Sequence, residues 1–164
     1  MSGAELTRRK LLAAGAAVAL SPPLLARTSS EVRTFKGIRY GSAKRFEAPV
    51  PLLDNRIAFG GFGPACPQRG DRYRPQSEDC LFLNVWTPGT EQSAKRPVMV
   101  YFHGGAYSTG SVTDPINDGA NLAARGDVVV VTVNHRLNAL GYLYLARLGP
   151  RFPDSGNAGQ VDLI

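Results

Sequence analysis

Two continuous apolar runs dominate the second half of the chain. Val98 to Phe102 (VMVYF) and Val128 to Val133 (VVVVTV) show no alternation of apolar and polar positions. β-Branched runs of this length predict strands buried on both faces. Between them, Ile116 to Ala124 (INDGANLAA) predicts a short helix, with Gly126 placed to cap its end. Earlier in the chain, Val32 to Tyr40 (VRTFKGIRY) alternates enough to predict a surface strand or hairpin. Leu81 to Thr87 (LFLNVWT) predicts a strand with Trp86 in the core. Residues 47–80 carry many Gly, Pro, Arg and Asp residues and read as loop, and Pro88 to Lys95 as a turn or hairpin connection. Pro153 to Ile164 opens with turn chemistry and then predicts the beginning of a helix. Strand, helix and strand joined by glycine-rich turns make this an α/β chain.

Residues 1–26 read as an address rather than as part of the fold. Arg8, Arg9 and Lys10 form a basic start, Leu11 to Leu20 an apolar stretch, and Ser21, Pro22 and Pro23 a break before the small residue Ala26. That is the layout of an export signal. Thr7-Arg8-Arg9 followed by Lys10, Leu11 and Leu12 resembles a twin-arginine signal, and the Ala- and Gly-rich apolar stretch fits that route. Export to the periplasm or the extracellular space is the expectation, with the export machinery as a partner. An uncleaved N-terminal anchor or a chance Ala/Leu helix is the alternative.

Composition narrows the class further. The 164 residues are 43% hydrophobic and 20% charged, a globular balance that suits one domain. No apolar run reaches the about eighteen residues of a spanning helix, so stable membrane insertion is not expected. The net charge is +6, and it falls to +4 once residues 1–26 are set aside. Arg69, Arg72 and Arg74 cluster in a Gly/Pro-rich loop, but no basic stripe or binding motif points to nucleic acid. Two cysteines, Cys66 and Cys80, enclose thirteen residues. In an exported chain an even count suggests a disulfide, which at this loop size stabilises by about 3 kcal/mol. Two unpaired thiols are the alternative. No CxxC motif is present and neither histidine is close in sequence, so no metal site is expected.

The chemistry centres on the end of the first apolar run, where Phe102 leads into His103-Gly104-Gly105-Ala106-Tyr107. Glycines at a strand end let the backbone approach a ligand and turn its N–H groups toward a developing oxyanion. His-Gly-Gly loops do this in lipases and esterases. A tight turn after a strand is the plainer reading.

Four further blocks accompany that loop. They are Phe35-Lys-Gly-Ile-Arg-Tyr40 with Arg45-Phe46 and Pro49, Ser77-Glu-Asp-Cys80-Leu-Phe-Leu-Asn-Val-Trp-Thr-Pro88, Val131-Thr-Val-Asn-His-Arg136-Leu-Asn-Ala-Leu-Gly141, and Ser155-Gly-Asn-Ala-Gly159-Gln-Val-Asp162. In order and spacing, from about Val32 to the last residue, they resemble the type-B carboxylesterase family, which includes the cholinesterases. The resemblance implies an α/β-hydrolase fold, here its N-terminal portion with the early strands of the central sheet. It implies a serine esterase acting on small-molecule esters through an acyl-enzyme, with no metal or organic cofactor. The N–H groups of Gly105 and Ala106 match the oxyanion donors, with Gly104 supporting the loop. Cys66 and Cys80 match the family's first disulfide. Arg45 with Glu78, and Arg136 with Asp162, match structural ion pairs.

The chain departs from the pattern in places. The stretch between Tyr40 and Arg45 is short, Arg39 stands where proline is common, and His135 replaces a frequent tyrosine. Asn138 stands where glycine is common, and asparagine tolerates positive φ better than most residues. Gln160 and Leu163 also differ from the usual ending. No G-x-S-x-G occurs in the 164 residues. The expectation is therefore that residues 27–164 are the incomplete N-terminal part of an esterase domain, and that catalytic serine, acid and histidine lie downstream. Ala106-Tyr-Ser108-Thr-Gly110 approaches an elbow, with His135 and Asp114, Asp118 or Asp127 as partners, but Ser108 is five residues past His103 rather than on a strand-to-helix turn. His103 and His135 read as strand-end packing, and Tyr107 as packing or a pocket wall. Such a fragment is expected to be inactive and prone to aggregate alone. A non-catalytic exported adhesion or binding module of the same fold, or a truncated product without function, are the alternatives.

Overall fold

The computed structural model describes residues 31–52 and 60–164. The segment read as an export signal lies outside the described residues. Strand β1 (Arg33–Arg39) is followed by the short β2 (Gly41–Ser42) and β3 (Val50–Pro51), which pair with each other. After the Cys66–Cys80 loop come β4 (Phe82–Thr87) and β5 (Val98–Phe102). Helix α1 (Ala120–Gly126), β6 (Val129–Val133), α2 (Asn138–Tyr142) and α3 (Ala158–Val161) complete the order.

The main sheet has the order β1-β4-β6-β5. β4 pairs antiparallel with β1 on one side and with β6 on the other, while β5 runs parallel to β6. The parallel pair needs a crossover, and α1 supplies it. The core forms where α1 meets the middle of the sheet. Trp86, Ala123 and Val130 are buried together, with Val32, Ala120 and Val128 packed around them. Gly119 makes this approach possible: a Cβ there would lie 2.7 Å from Cγ1 of Val130 and 3.0 Å from Cε3 of Trp86.

Polar groups inside the sheet are paired, as burial demands. Asn84 is fully buried on β4. Its side-chain oxygen accepts from the Gly37 N–H at 3.0 Å, inside a bulge of β1, and its amide donates to Oγ1 of Thr132 at 3.1 Å. Asn134, just past β6, accepts from the Val112 N–H at 3.0 Å and donates to the Pro64 carbonyl at 3.2 Å. The Tyr40 hydroxyl donates to the Asn134 carbonyl at 2.6 Å, and burial holds that phenol far above its ordinary pKa.

Three expectations are corrected. The run Val98 to Phe102 forms a strand, but all five residues are exposed rather than buried on both faces. β5 is the sheet's last strand, and among the described residues no strand pairs with its outer edge. Helix α1 carries Gly126 as its final residue, and Asp127 takes the left-handed capping position, at φ 52°. Of the two readings of Pro88 to Lys95, the turn stands, with a 3-10 turn at Gln92–Ala94, and the hairpin does not, because β4 pairs with β6 and not with β5. Among the described residues no helix is long and apolar enough to cross a membrane.

Candidate active site

The loop after β5 is built from unusual backbone. Gly105 has φ 125°, Ala106 52°, Tyr107 61° and Gly110 114°. Two successive side-chain-bearing residues in the left-handed region store strain of about 1–2 kcal/mol each. The compensation is visible in the carbonyls. Gly105 O accepts from the N–H groups of Ser108 at 3.0 Å and Thr109 at 3.1 Å, and Ala106 O accepts from the Ser108 hydroxyl at 3.2 Å. The carbonyls turn inward. The N–H groups of Gly105 and Ala106 have no acceptor among the described residues. Gly104, Gly105 and Ala106 are all exposed.

His103 anchors the start of the loop. It is 7% exposed, and its Nδ1 lies 3.0 Å from the Gly104 carbonyl. Donation to a carbonyl fixes the proton on Nδ1, and Nε2 is left without a partner among the described residues. The ring stacks on His135 at 4.6 Å between centroids with 15° between planes. Burial lowers the His103 pKa, the bond to Gly104 opposes that, and the neighbouring His135 adds to it. A neutral, stacked imidazole under the loop follows. His135 in turn sets its Nδ1 3.1 Å from the Arg136 carbonyl. A cavity of about 410 Å³ opens here, lined by His103, Gly104, Gly105, Ala106, His135 and Leu163, among others.

The other residues singled out in the sequence lie around this loop. Cys66 and Cys80 are bonded as a disulfide and buried with Leu137. Arg136 and Asp162 form a buried ion pair, with Nη2 to Oδ1 at 2.6 Å and the Asp162 side chain fully buried. Asp162 also accepts from the Arg136 N–H at 2.9 Å, and Arg136 donates to the Glu47 carbonyl at 2.8 Å. Arg45 and Glu78 pair at the surface, Nε to Oε2 at 2.9 Å. Arg45 holds the Glu78 carboxyl below the ordinary carboxylate range.

The near-elbow at Ser108 is not wired as a relay. Its hydroxyl bonds the Ala106 carbonyl, Asp114 accepts from the Tyr73 hydroxyl and from Arg72, and Asp118 accepts from the Ala120 N–H. Asp127 pairs with Arg96 at 2.9 Å. Tyr107 packs on Tyr142, with centroids 4.9 Å apart. Sequence reasoning missed Gln68, whose amide reaches Gly110 from the disulfide loop. A lone glutamine two residues past a cysteine carries no signal that could have marked it.

Comparison with known proteins converges on one family. Residues 24–164 match the model of the Carboxylesterase family. The chain is 38% identical over 148 residues to a para-nitrobenzyl esterase of Bacillus subtilis, covering 82% of this chain and 30% of that protein. It is 50% identical over 162 residues to carboxylesterase 3B of Mus musculus, covering 84% of this chain and 26% of that protein. Among solved structures it resembles an esterase from Clostridium hathewayi, with TM-score 0.72 and 45% identity over 80% of this chain and 29% of that one. A carboxylesterase from Geobacillus stearothermophilus gives TM-score 0.71 and 39% identity over 80% of this chain and 28% of that one. The chain thus spans less than a third of the length of these relatives.

Proposed function

The chain belongs to the carboxylesterase family and carries the early strands of its α/β-hydrolase fold; from that premise we propose that the protein hydrolyses small carboxylic esters through an acyl-serine, with the loop Gly104 to Ala106 as its oxyanion hole. One observation carries the reading. The N–H groups of Gly105 and Ala106 are free of acceptors among the described residues, while the loop's own carbonyls are occupied. Donors held ready in this way cost no reorganisation when a carbonyl oxygen gains charge, and each is worth about 10²–10³ in kcat.

The remaining chemistry is assigned by role. A serine outside these 164 residues attacks the ester carbonyl. A histidine takes its proton and returns it to the leaving alcohol, and an Asp or Glu orients that histidine. Gly105 and Ala106 stabilise both tetrahedral intermediates, and water releases the acid. His103 and His135 have no part in the proton transfers in this scheme. We assign residues 1–26 as an export signal and residues 27–164 as the N-terminal part of the esterase domain. The Cys66–Cys80 disulfide supports a location in an oxidising compartment, periplasmic or extracellular.

A fluorophosphonate probe tests this reading on the native gene product. Stoichiometric labelling of one serine beyond Ile164, together with turnover of p-nitrophenyl acetate, is the expected result. Absence of labelling and of turnover would leave the binding-module reading instead. Labelling at Ser108 would overturn the assignment of the nucleophile.

A further inference from the structure

The oxyanion loop is held from outside by two residues that take no part in the chemistry. Gln68 sits two residues past Cys66, in the disulfide loop. Its Oε1 accepts from the Gly110 N–H at 2.8 Å, and its Nε2 donates to the Gly110 carbonyl at 2.8 Å. One side-chain amide thus satisfies both backbone groups of one residue, as a neighbouring strand would. The amide is itself fixed: Nε2 also donates to the Cys66 carbonyl at 3.1 Å, and the Gln68 N–H donates to Oε1 of Gln76 at 3.0 Å. Gly110 is the far end of the strained loop. A Cβ on it would run into the Gly104 carbonyl and Nδ1 of His103, so the end of the loop is packed directly against its beginning.

Asn138 holds the middle. It opens α2 at φ 55°, and its side-chain amide donates to the Ser108 carbonyl at 2.9 Å and to the Pro67 carbonyl at 3.2 Å. Its N–H donates to the Tyr107 carbonyl at 2.8 Å. Pro67 and Gln68 are consecutive, so both ties end on the same short piece of the disulfide loop.

We infer that Gln68, seconded by Asn138, is a positioning residue that couples the Cys66–Cys80 loop to the oxyanion loop and keeps the Gly105 and Ala106 N–H groups aimed. The inference rests on the oxyanion assignment above. Leucine at position 68 keeps the bulk of the side chain and removes both bonds to Gly110, together with the one to the Cys66 carbonyl. Glycine at position 138 accepts the backbone conformation and removes only the side-chain bonds.

The test is amide hydrogen exchange on the native gene product, followed by mass spectrometry of peptides covering residues 104–112 and 129–133. Gln68→Leu should speed exchange in the loop peptide by about tenfold and leave the β6 peptide unchanged, as expected for two lost hydrogen bonds. Asn138→Gly should act in the same direction and more weakly. Arg74→Ala, which removes only an exposed ion pair with Asp71, is the control and should change neither peptide. A loop change smaller than about threefold, or one matched in β6, overturns the inference. On p-nitrophenyl acetate, Gln68→Leu should lower kcat by about tenfold with KM within about twofold, since oxyanion stabilisation acts on the transition state. A KM effect alone would overturn it as well. Should the unaltered protein hydrolyse no ester, the esterase reading fails, and the exchange measurement still decides whether Gln68 holds the loop.

Discussion

Gly110 is the residue on which the loop closes. An alanine there would carry φ 114° and place its Cβ against the Gly104 carbonyl and the His103 ring. Gly110→Ala should cost about 1–3 kcal/mol, read as a lowered urea midpoint at unchanged m-value. His103 below it gives a pH signature. Its folded pKa lies below the ordinary 6.5, chiefly because it is buried. The unfolded chain therefore binds more protons as the pH falls. The stability contributed by the neutral ring is complete above 6.5 and is lost as pH drops through the folded value. Wild type should lose more Tm than His103→Gln between about pH 7 and about pH 5; equal losses would remove His103 from the account. At this scale the sequence was partly legible. Asparagine at 138 reads as a tolerant stand-in for glycine, and its φ of 55° agrees. Its two side-chain bonds to Pro67 and Ser108 were not readable, because both partners are distant in sequence.

β5 shows where pattern reading stops among the elements. Its run of five apolar residues is indistinguishable from the run that forms β6, and both become strands. Burial depends on what lies beyond the strand, and the run does not encode its neighbours. β6 has a strand on each side, whereas β5 has one. Val98, Val100 and Phe102 are 60%, 54% and 44% exposed, on an edge with no proline inside it and no charge. Such an edge pairs readily with another chain. The 164-residue chain expressed alone should self-associate with rising concentration. Val100→Lys should shift it toward monomer in light scattering; an unchanged mass distribution would place the association elsewhere. The existence of helix α1 was legible, because Ile116 to Ala124 carries small and apolar residues between turn signals, but its start was not: Pro115–Asn117 forms a separate 3-10 turn and α1 begins at Ala120. Its end was displaced by one residue, since Asp127 tolerates the left-handed position expected of glycine.

Across the whole molecule, one ion pair joins distant parts of the chain. Arg136 follows β6, Asp162 follows α3, and Arg136 also binds the carbonyls of Glu47 and Ala158. Both charges are buried. Asp162→Ala would strand the guanidinium and should cost about 3–5 kcal/mol, measurable by thermal unfolding. The sequence block around Asp162 pointed to this pair through family resemblance alone, because no local pattern links positions 26 residues apart. The disulfide works at the same scale. Reduction should cost about 3 kcal/mol through the loop it closes, and should also free the segment that carries Pro67 and Gln68.

Trp86 is the chain's one tryptophan, and it is 1% exposed under helix α1. That gives the 164-residue chain a single intrinsic fluorophore. Excitation at the red edge of the indole band, where tyrosine no longer absorbs, would address that one buried ring. Its emission should shift to longer wavelength only when the helix lifts from the sheet. Loosening confined to the residues after β5 should leave that colour unchanged. In the 164-residue chain, a spectrum that stays blue while exchange in the loop accelerates would separate a local opening from loss of the fold.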